Sequence, residues 1–242
     1  MPSYTSNLLL AVMMPRDLEL LSPILRPVEL KQQAVLYDIG DKIGTVYFPS
    51  DAVVSMVVSL STGEMVEAAM VGRDGVVGAL AALDGKVSLT RAIVQVGGSG
   101  AACDVDAFKR VVLQSPTLLS LLLSHEQTVY AQAQQSAACN ITHDVHARLS
   151  RWLLRARDLS GSDILPFTQE FLAEMLGVRR TSVSPAAHDL QRVGLIKYTR
   201  GKIQIVDLEG LKATSCECYE TVRGHYDHLI GKNARSAKLA EP

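Results

Sequence analysis

The chain has 242 residues, of which 48% are hydrophobic and 20% are charged, and its net charge at pH 7 is −1. This balance is typical of a globular protein, and it gives no overall electrostatic argument for nucleic acid. The longest apolar run, at 118–123, is too short to span a bilayer, and the N-terminus lacks the basic region of a signal peptide. We therefore expect a cytoplasmic protein that does not enter a membrane.

The first 110 residues predict an antiparallel β structure. Apolar runs at 53–60 and 65–71 flank the sequence STGE, which is typical of a hairpin turn. Glycines punctuate the region at the spacing expected of a barrel or roll. An amphipathic segment at 6–25 predicts a helix that packs on this roll.

Residues 115–138 predict one long helix that no glycine interrupts, with Ser115 as N-cap and Pro116 in the first turn. Alternating steps of three and four residues, typical of a two-helix contact, connect Leu119, Leu122, Glu126, Val129, Ala133 and Ser136. Two interpretations stay open. The helix pairs with a second copy of the chain through this seam, or it is a core helix that lies on the roll.

The C-terminal part is helical and basic. Residues 1–139 carry a net charge of −4 and residues 140–242 carry +3, with a local excess of five positive charges within 179–202. An amphipathic helix precedes two short helices that meet at Gly177, and the sequence LIKYTRGKIQIVD then predicts a β-hairpin. This order predicts a winged helix-turn-helix domain whose partner is double-stranded DNA.

Arg179 and Arg180 open the second short helix, where a recognition helix meets base edges. The arginine fork matches the two acceptors of guanine. We expect the helix to begin near Arg180 with a distortion at Pro185; the alternative is a cap at Ser182, which places the proline in the first turn. The predicted DNA contacts are Thr168, Gln169, Arg179, Arg180, Thr181, Ser182, Ser184, Arg200 and Lys202.

Over most of its length the chain resembles a Crp/Fnr-type transcription regulator, most specifically in FTQEFLAEMLGVRRTSVSPAAHDLQRVGLI. The resemblance implies an α+β fold: a cyclic-nucleotide-binding-like jelly roll that senses an effector (1–114), a dimerisation helix (115–139) and a winged helix-turn-helix domain (140–242). It also implies a homodimer that binds a palindromic DNA site. Members of the family often contact RNA polymerase, which is therefore a further partner that the resemblance implies.

The same resemblance makes Arg180 the counterpart of an arginine that reads guanine in some members. Thr181 stands where many members have a base-reading glutamate, and Pro185 where many have a second arginine. We therefore expect the DNA consensus of this chain to depart from the family's usual one.

The segment 71–95 is similar to the family's phosphate-binding cassette, and the predicted effector pocket is Gly75, Val76, Val77, Gly78 and Arg91. The cyclic-nucleotide binders place a glutamate where Val76 or Val77 stands here. Because an apolar pair cannot accept hydrogen bonds from ribose hydroxyls, we expect an unknown effector other than cyclic AMP. The alternatives are a cyclic-nucleotide-responsive regulator, and a cassette whose glycines only serve tight turns.

The cysteines and histidines predict no metal site and leave any cofactor unknown. Iron–sulfur members of the family that the chain resembles use N-terminal cysteines, and no cysteine precedes Cys103 here, which argues against that cofactor. No histidine precedes His125, which argues against a haem held by the roll. Cys216 and Cys218 lie close in the sequence to His225 and His228, but residues two apart on a helix point to different faces, so the two cysteines are not expected to converge. Cys103 and Cys139 stay open as redox sensors, although no neighbour predicts a lowered pKa. We interpret His143, Asp144 and His146 as a hinge surface.

An enzyme is the main alternative from another functional class. The sequence contains no P-loop, GxGxxG fingerprint, HExxH or GxSxG motif, so we expect no enzymatic activity. A further alternative is a sensor or scaffold protein whose C-terminal domain binds protein. Steep weakening by salt would indicate DNA.

Overall fold

The computed structural model describes residues 6–84 and 86–239. Two short helices, α1 (Leu8–Ala11) and α2 (Pro15–Leu21), precede an antiparallel roll. Its strands are β1 (Arg26–Leu30), β2 (Val35–Tyr37), β3 (Thr45–Pro49), β4 (Val53–Ser59), β5 (Met65–Val71), β6 (Arg91–Val96) and β7 (Gly98–Asp104). They form two sheets, in the orders β1-β7-β3 and β2-β6-β4-β5, and every pairing is antiparallel. The predicted roll is confirmed, including the hairpin between β4 and β5.

Two helices continue from the roll. Helix α3 (Val105–Gln114) packs Phe108 edge to face against Phe48 of the roll core, with ring centres 5.9 Å apart. Helix α4 (Pro116–Thr142) has 27 residues and is about 40 Å long. The Ser115 side chain accepts a hydrogen bond from the Leu118 backbone amide at 3.1 Å, so the predicted cap and first turn are present. The helix ends at Thr142, three residues beyond the predicted boundary.

One face of α4 is buried inside its own chain, which corrects the predicted seam. The buried residues are Leu118, Leu121, Leu122, His125, Thr128, Gln132, Ser136 and Cys139. Leu122 and Ser136 were assigned to a contact with a second copy, but each is less than a tenth exposed. Leu119 and Val129 pack against the roll core, and Glu126 and Ala133 are half-buried. The spacing of the seam arises because α4 lies on the roll.

The C-terminal part contains a helix-turn-helix and a wing. Its elements are α5 (Val145–Ser160), β8 (Ile164–Leu165), α6 (Gln169–Leu176), α7 (Arg180–Arg192), β9 (Ile196–Thr199), β10 (Lys202–Ile205), α8 (Leu208–Thr214) and α9 (Cys218–Leu239). The strands form a sheet in the order β8-β10-β9. Asp144 caps α5 and Thr168 caps α6 through side-chain oxygens. Helix α9 returns along α4. No helix within the described ranges is long and apolar enough to cross a membrane.

The winged domain packs on the outer face of the roll. Trp152 of α5 is buried, stacks edge to face on Phe167 at 4.7 Å, and belongs to a core that includes Val53 and Met70 of the roll. A Cβ atom on Gly72 would lie 2.6 Å from the Leu159 Cβ atom, so only a glycine allows α5 to approach this closely. The two parts therefore share one continuous apolar interface.

Candidate functional site

The recognition helix begins where the sequence predicts. Helix α7 starts at Arg180, and Arg179 is its N-cap in an extended conformation, so Ser182 is not the cap. Pro185 lies inside the helix, beyond the first turn, and it has no N–H to donate to the carbonyl of Thr181. The proline faces solvent, while Val183 and its neighbours on the opposite side enter the domain core.

Four predicted DNA contacts lie exposed at the start of α7: Arg179, Arg180, Thr181 and Ser182. The Arg180 guanidinium lies 3.4 Å from the Glu170 carboxylate, and the two side chains are 64% and 74% exposed. An ion pair this exposed stabilises little, so Arg180 can exchange Glu170 for another acceptor at small cost. The N-terminal end of α7 adds its own partial positive charge.

Three other predicted contacts take part in hydrogen bonds within the motif. The Ser184 hydroxyl donates to the Gln169 side-chain oxygen at 2.7 Å, which ties α7 to the first turn of α6. Thr168 is exposed, and its hydroxyl oxygen accepts from the Phe171 amide at 3.1 Å. These residues orient the recognition helix. His188, which the sequence argument missed, lies exposed on the same face as Thr181, because seven residues make about two helical turns.

The wing is a tight hairpin next to the start of α6. Lys202 pairs with Thr199 across a turn in which Arg200 and Gly201 both have positive φ, +38° and +81°. This is the backbone of a two-residue hairpin loop. A Cβ atom on Gly201 would lie 3.6 Å from the Thr168 side chain. The wing therefore places the exposed cations Arg200 and Lys202 beside the beginning of α6.

Comparison with known proteins bears on this domain most directly. Residues 147–214 match the family model of the Crp-like helix-turn-helix domain. The transcriptional regulator SdrP from Thermus thermophilus is 32% identical over 103 residues, which are 40% of this chain and 51% of that protein. Residues 147–214 therefore form a Crp-like helix-turn-helix domain. The match spans about half the length of this curated relative.

Solved structures show that the Crp/Fnr fold extends over most of the chain. The structure of FixK2 from Bradyrhizobium japonicum is similar with a TM-score of 0.67 at 15% identity, over 80% of this chain and 98% of that one. A transcriptional regulator of the CRP/FNR family from Thermus thermophilus is similar with a TM-score of 0.61 at 24% identity, over 81% and 98%. At these identities the likeness concerns the fold.

The roll contains a cavity of about 220 Å³. The predicted pocket residues Val76, Val77 and Gly78 line it, together with Tyr37 and His125. The wall is mostly apolar. Gly78 has φ +85°, so this glycine also serves a tight turn, as the alternative interpretation proposed.

Arg91 was wrongly assigned to the pocket. Successive residues of a strand face opposite sides of a sheet, and Ala92 of β6 faces the roll core. Arg91 therefore faces outward, where its guanidinium lies 3.8 Å from the Asp38 carboxylate and 3.9 Å from the Met65 sulfur.

His125 is the pocket residue that the sequence argument missed. It comes from α4, and its Nε2 atom accepts a hydrogen bond from the Val76 amide at 3.3 Å. A Cβ atom on Gly75 would lie 2.4 Å from the same nitrogen, so Gly75 is needed for this close approach. His125 lies outside the roll segment of the sequence, and no local pattern indicates that α4 completes the wall.

Four thiol and imidazole groups converge at the end of α4. The possible ligand atoms of Cys139, His143, Cys216 and Cys218 all lie within 4.8 Å of one another. Cys216 and Cys218 converge, contrary to the sequence-based prediction, because α9 begins at Cys218 and Cys216 precedes the helix. The fourth cysteine, Cys103, is buried in the roll, and burial raises the pKa of its thiol to about 12, which argues against a redox-sensing thiolate there.

Proposed function

We propose that this protein is a cytoplasmic transcription regulator of the Crp/Fnr family. It binds a palindromic DNA site as a homodimer, and it responds to a small molecule other than cyclic AMP. Its three parts are an effector-sensing roll (1–114), a dimerisation helix (115–139) and a DNA-binding winged domain (140–242). The observation that carries DNA binding is the exposed, cationic start of α7 beside the cationic wing.

Each exposed group of the winged surface has a role in this proposal. Arg180 reads guanine, because it is the first residue of α7 and is held only by an exposed ion pair. Arg179 and Ser182 bind phosphate or base edges at the same helix end, where the helix dipole favours anions. Arg200 and Lys202 bind backbone phosphate from the wing. His188 joins Thr181 on the face of α7 that enters the groove.

The dimer forms through the exposed face of α4, which replaces the seam predicted from the sequence. Its exposed residues follow strict steps of three and four: Ser120, Leu123, Gln127, Tyr130, Gln134, Ala137 and Ile141. Leu123, Tyr130 and Ile141 are 55%, 65% and 86% exposed in a single chain. A heptad stripe that leaves large apolar side chains in water is the surface that a second parallel copy would cover.

The roll cavity supports a small, mostly apolar effector. Its volume of about 220 Å³ is below the roughly 300–1,000 Å³ of pockets for drug-sized ligands. Val76 and Val77 supply no acceptor for ribose hydroxyls. The same loop carries Asp74, whose carboxylate pairs with Arg155 of α5 at 2.8 Å. A ligand that moves this loop would therefore act on the winged domain directly, through the pair of Asp74 with Arg155.

Selection of bound fragments from random duplex DNA tests the proposal. We expect an enriched two-fold site with half-sites about 10 bp apart. Arg180→Ala should relax the selected guanine position, and Tyr130→Glu, which charges the exposed stripe of α4, should leave only half-site binding.

An asymmetric site for the wild type would contradict the dimer. If no sequence were enriched and the chain showed no salt-dependent affinity for duplex DNA, DNA binding would be contradicted and a protein partner for the winged domain would be favoured.

A further inference from the structure

Two segments far apart in the sequence place four metal-binding groups around one point. Cys139 lies in the last turn of α4 and His143 is its C-cap, while Cys216 and Cys218 flank the start of α9. The sulfur atoms of Cys139 and Cys216 are 3.5 Å apart, and the Cys218 sulfur is 3.6 Å from the Nδ1 atom of His143. The three cysteines are buried.

These two distances match the edges of a tetrahedron around a single ion, and the remaining pairs of ligand atoms lie within 4.8 Å. With zinc–sulfur bonds of about 2.3 Å and zinc–nitrogen bonds of about 2.0–2.1 Å, ligand atoms are separated by roughly 3.5–3.8 Å. The four groups therefore need little movement to bind one ion. A cluster of several iron atoms would require the sulfur atoms to lie around a larger body.

Neighbouring side chains orient the four groups as ligands. The Glu217 carboxylate lies 3.2 Å from Nε2 of His143, so the opposite nitrogen, Nδ1, is directed into the cluster. A carboxylate on the far side of a histidine is a common support for a metal ligand. The side-chain amide of Gln135 donates to the Cys218 sulfur at 3.0 Å. The Cys218 sulfur thus already has a hydrogen-bond donor outside the cluster.

Two buried arginines balance the charge that such a site would carry. Arg148 and Arg151 are 6% and 8% exposed, and their positive charges act on the Cys139 thiol. The Nε atom of each has no hydrogen-bond partner among the described residues. Three thiolates and a neutral histidine around a divalent ion leave one net negative charge, which these guanidinium groups offset. Arg151 also acts on the buried Glu67 carboxyl, so its charge is shared between that group and the cluster.

The geometry points to a structural zinc site of three cysteines and one histidine, formed by Cys139, His143, Cys216 and Cys218. Closed sets of four sulfur and nitrogen ligands are typical of structural zinc. The ion would join the end of α4 to the start of α9. Because α5 begins at Val145, it would also fix the hinge from which the winged domain extends. Arg148 extends this connection by donating to the Leu176 carbonyl at the end of α6.

Metal analysis of the full chain, purified without a metal-affinity step, tests the site directly. We expect about one zinc per chain, released when an organomercurial titrates the thiols. Cobalt reconstitution should give thiolate charge-transfer bands and the intense visible bands of tetrahedral coordination. Hydrogen exchange should quicken at the end of α4 and the start of α9 when zinc is removed.

The zinc content of matched variants distinguishes the four proposed ligands from residues that do not bind the ion. Cys216→Ser and His143→Asn should lose the zinc, while Cys103→Ser and His146→Ala should retain it, because these residues lie outside the cluster. Glu217→Gln should keep the fold and weaken zinc affinity about 10–100-fold.

Several results would overturn the assignment. The first is a chain that neither contains nor takes up zinc when its thiols are reduced. The second is an octahedral cobalt spectrum, or stoichiometric binding of another metal in place of zinc. The third is an equal loss of zinc in Cys103→Ser and Cys216→Ser. A disulfide between Cys139 and Cys216 in protein isolated under reducing conditions would also count against it. None of these measurements depends on DNA binding, so the zinc site and the proposed regulatory function can fail separately.

Discussion

The winged domain has two surfaces of opposite character. The surface against the roll is closed: Trp152 and Glu67 are buried there, and Arg155 pairs with Asp74 at a side-chain exposure of 10% and 16%. The outer surface is open to solvent, and Arg180, the proposed guanine reader, is 64% exposed on it, at the edge of a cleft that it shares with Glu64 and Met65 of the roll. The inner surface is thus held by packing and buried hydrogen bonds, whereas the outer one is available to a ligand. Changes to the first should alter stability, and changes to the second should alter binding alone.

Removal of Trp152 should produce the largest effect on the inner surface. Its indole fills the core between α5 and the roll, stacks on two phenylalanine rings, and donates to the Glu67 carboxylate at 2.9 Å. Trp152→Ala should lower the free energy of unfolding by about 3–5 kcal/mol. Urea denaturation followed by circular dichroism measures this, since Trp152 is the sole tryptophan and the variant has no tryptophan fluorescence.

Trp152→Phe is the matched control, because it keeps an aromatic ring and loses the donor to Glu67. It should be destabilised less than Trp152→Ala. A loss below about 1 kcal/mol for Trp152→Ala would show that the two parts are not packed as closely as described.

Glu67 should make the stability of the inner surface depend on pH. Burial raises the pKa of this carboxyl from 4.5 to about 7, although Ser55, Arg151 and Trp152 act in the opposite direction. Between these two values the folded chain holds a proton that the unfolded chain has lost. The contribution of Glu67 is therefore complete below about pH 4.5 and lost as the pH rises through about 7.

Glu67→Gln tests this, since an amide can accept from Trp152 and does not ionise. Its free energy of unfolding should equal that of the wild type near pH 4 and exceed it by up to about 3 kcal/mol near pH 8. Unfolding by urea across this range measures the difference. Parallel pH profiles for the two proteins would refute the assignment of the slope to Glu67.

The two surfaces also differ in how well the sequence predicts them. The start of α7, its cap and the wing turn follow from residues within a few positions, such as Gly177 with φ +61°. Capping and turn preferences, which depend only on neighbouring residues, are enough to predict these features. Contacts on the inner surface join residues far apart in the chain, and no pattern near Glu67 indicates that Trp152 is its partner.

The same limit explains the errors at α4 and the roll. The seam was predicted from spacing alone, and spacing identifies a buried face without indicating what buries it. Leu122 lies against the roll of its own chain for this reason. His125 enters the roll cavity, and Cys139 meets Cys216 across 77 residues, because of how α4 packs. These sites depend on the tertiary arrangement, which a single sequence does not reveal.

The smallest change expected in stability, and the sharpest in binding, is that of Arg180→Ala. Its exposed pair with Glu170 contributes at most about 1 kcal/mol to folding, so the free energy of unfolding should stay nearly constant. The free energy of binding to the selected DNA site should weaken by about 1–3 kcal/mol, and the protein should lose its preference for guanine at one position. Fluorescence anisotropy with the selected duplex and its single-base variants measures both.

Lys202→Ala is the matched control for Arg180→Ala, because Lys202 is also cationic and exposed but lies on the wing. A phosphate contact weakens all duplexes alike and reduces the salt slope by about one, whereas a base contact changes the ranking of sequences. If Arg180→Ala lowered every affinity equally, Arg180 would be a second phosphate contact. If it also destabilised the fold as much as Trp152→Ala does, the distinction between a closed inner and an open outer surface would be wrong.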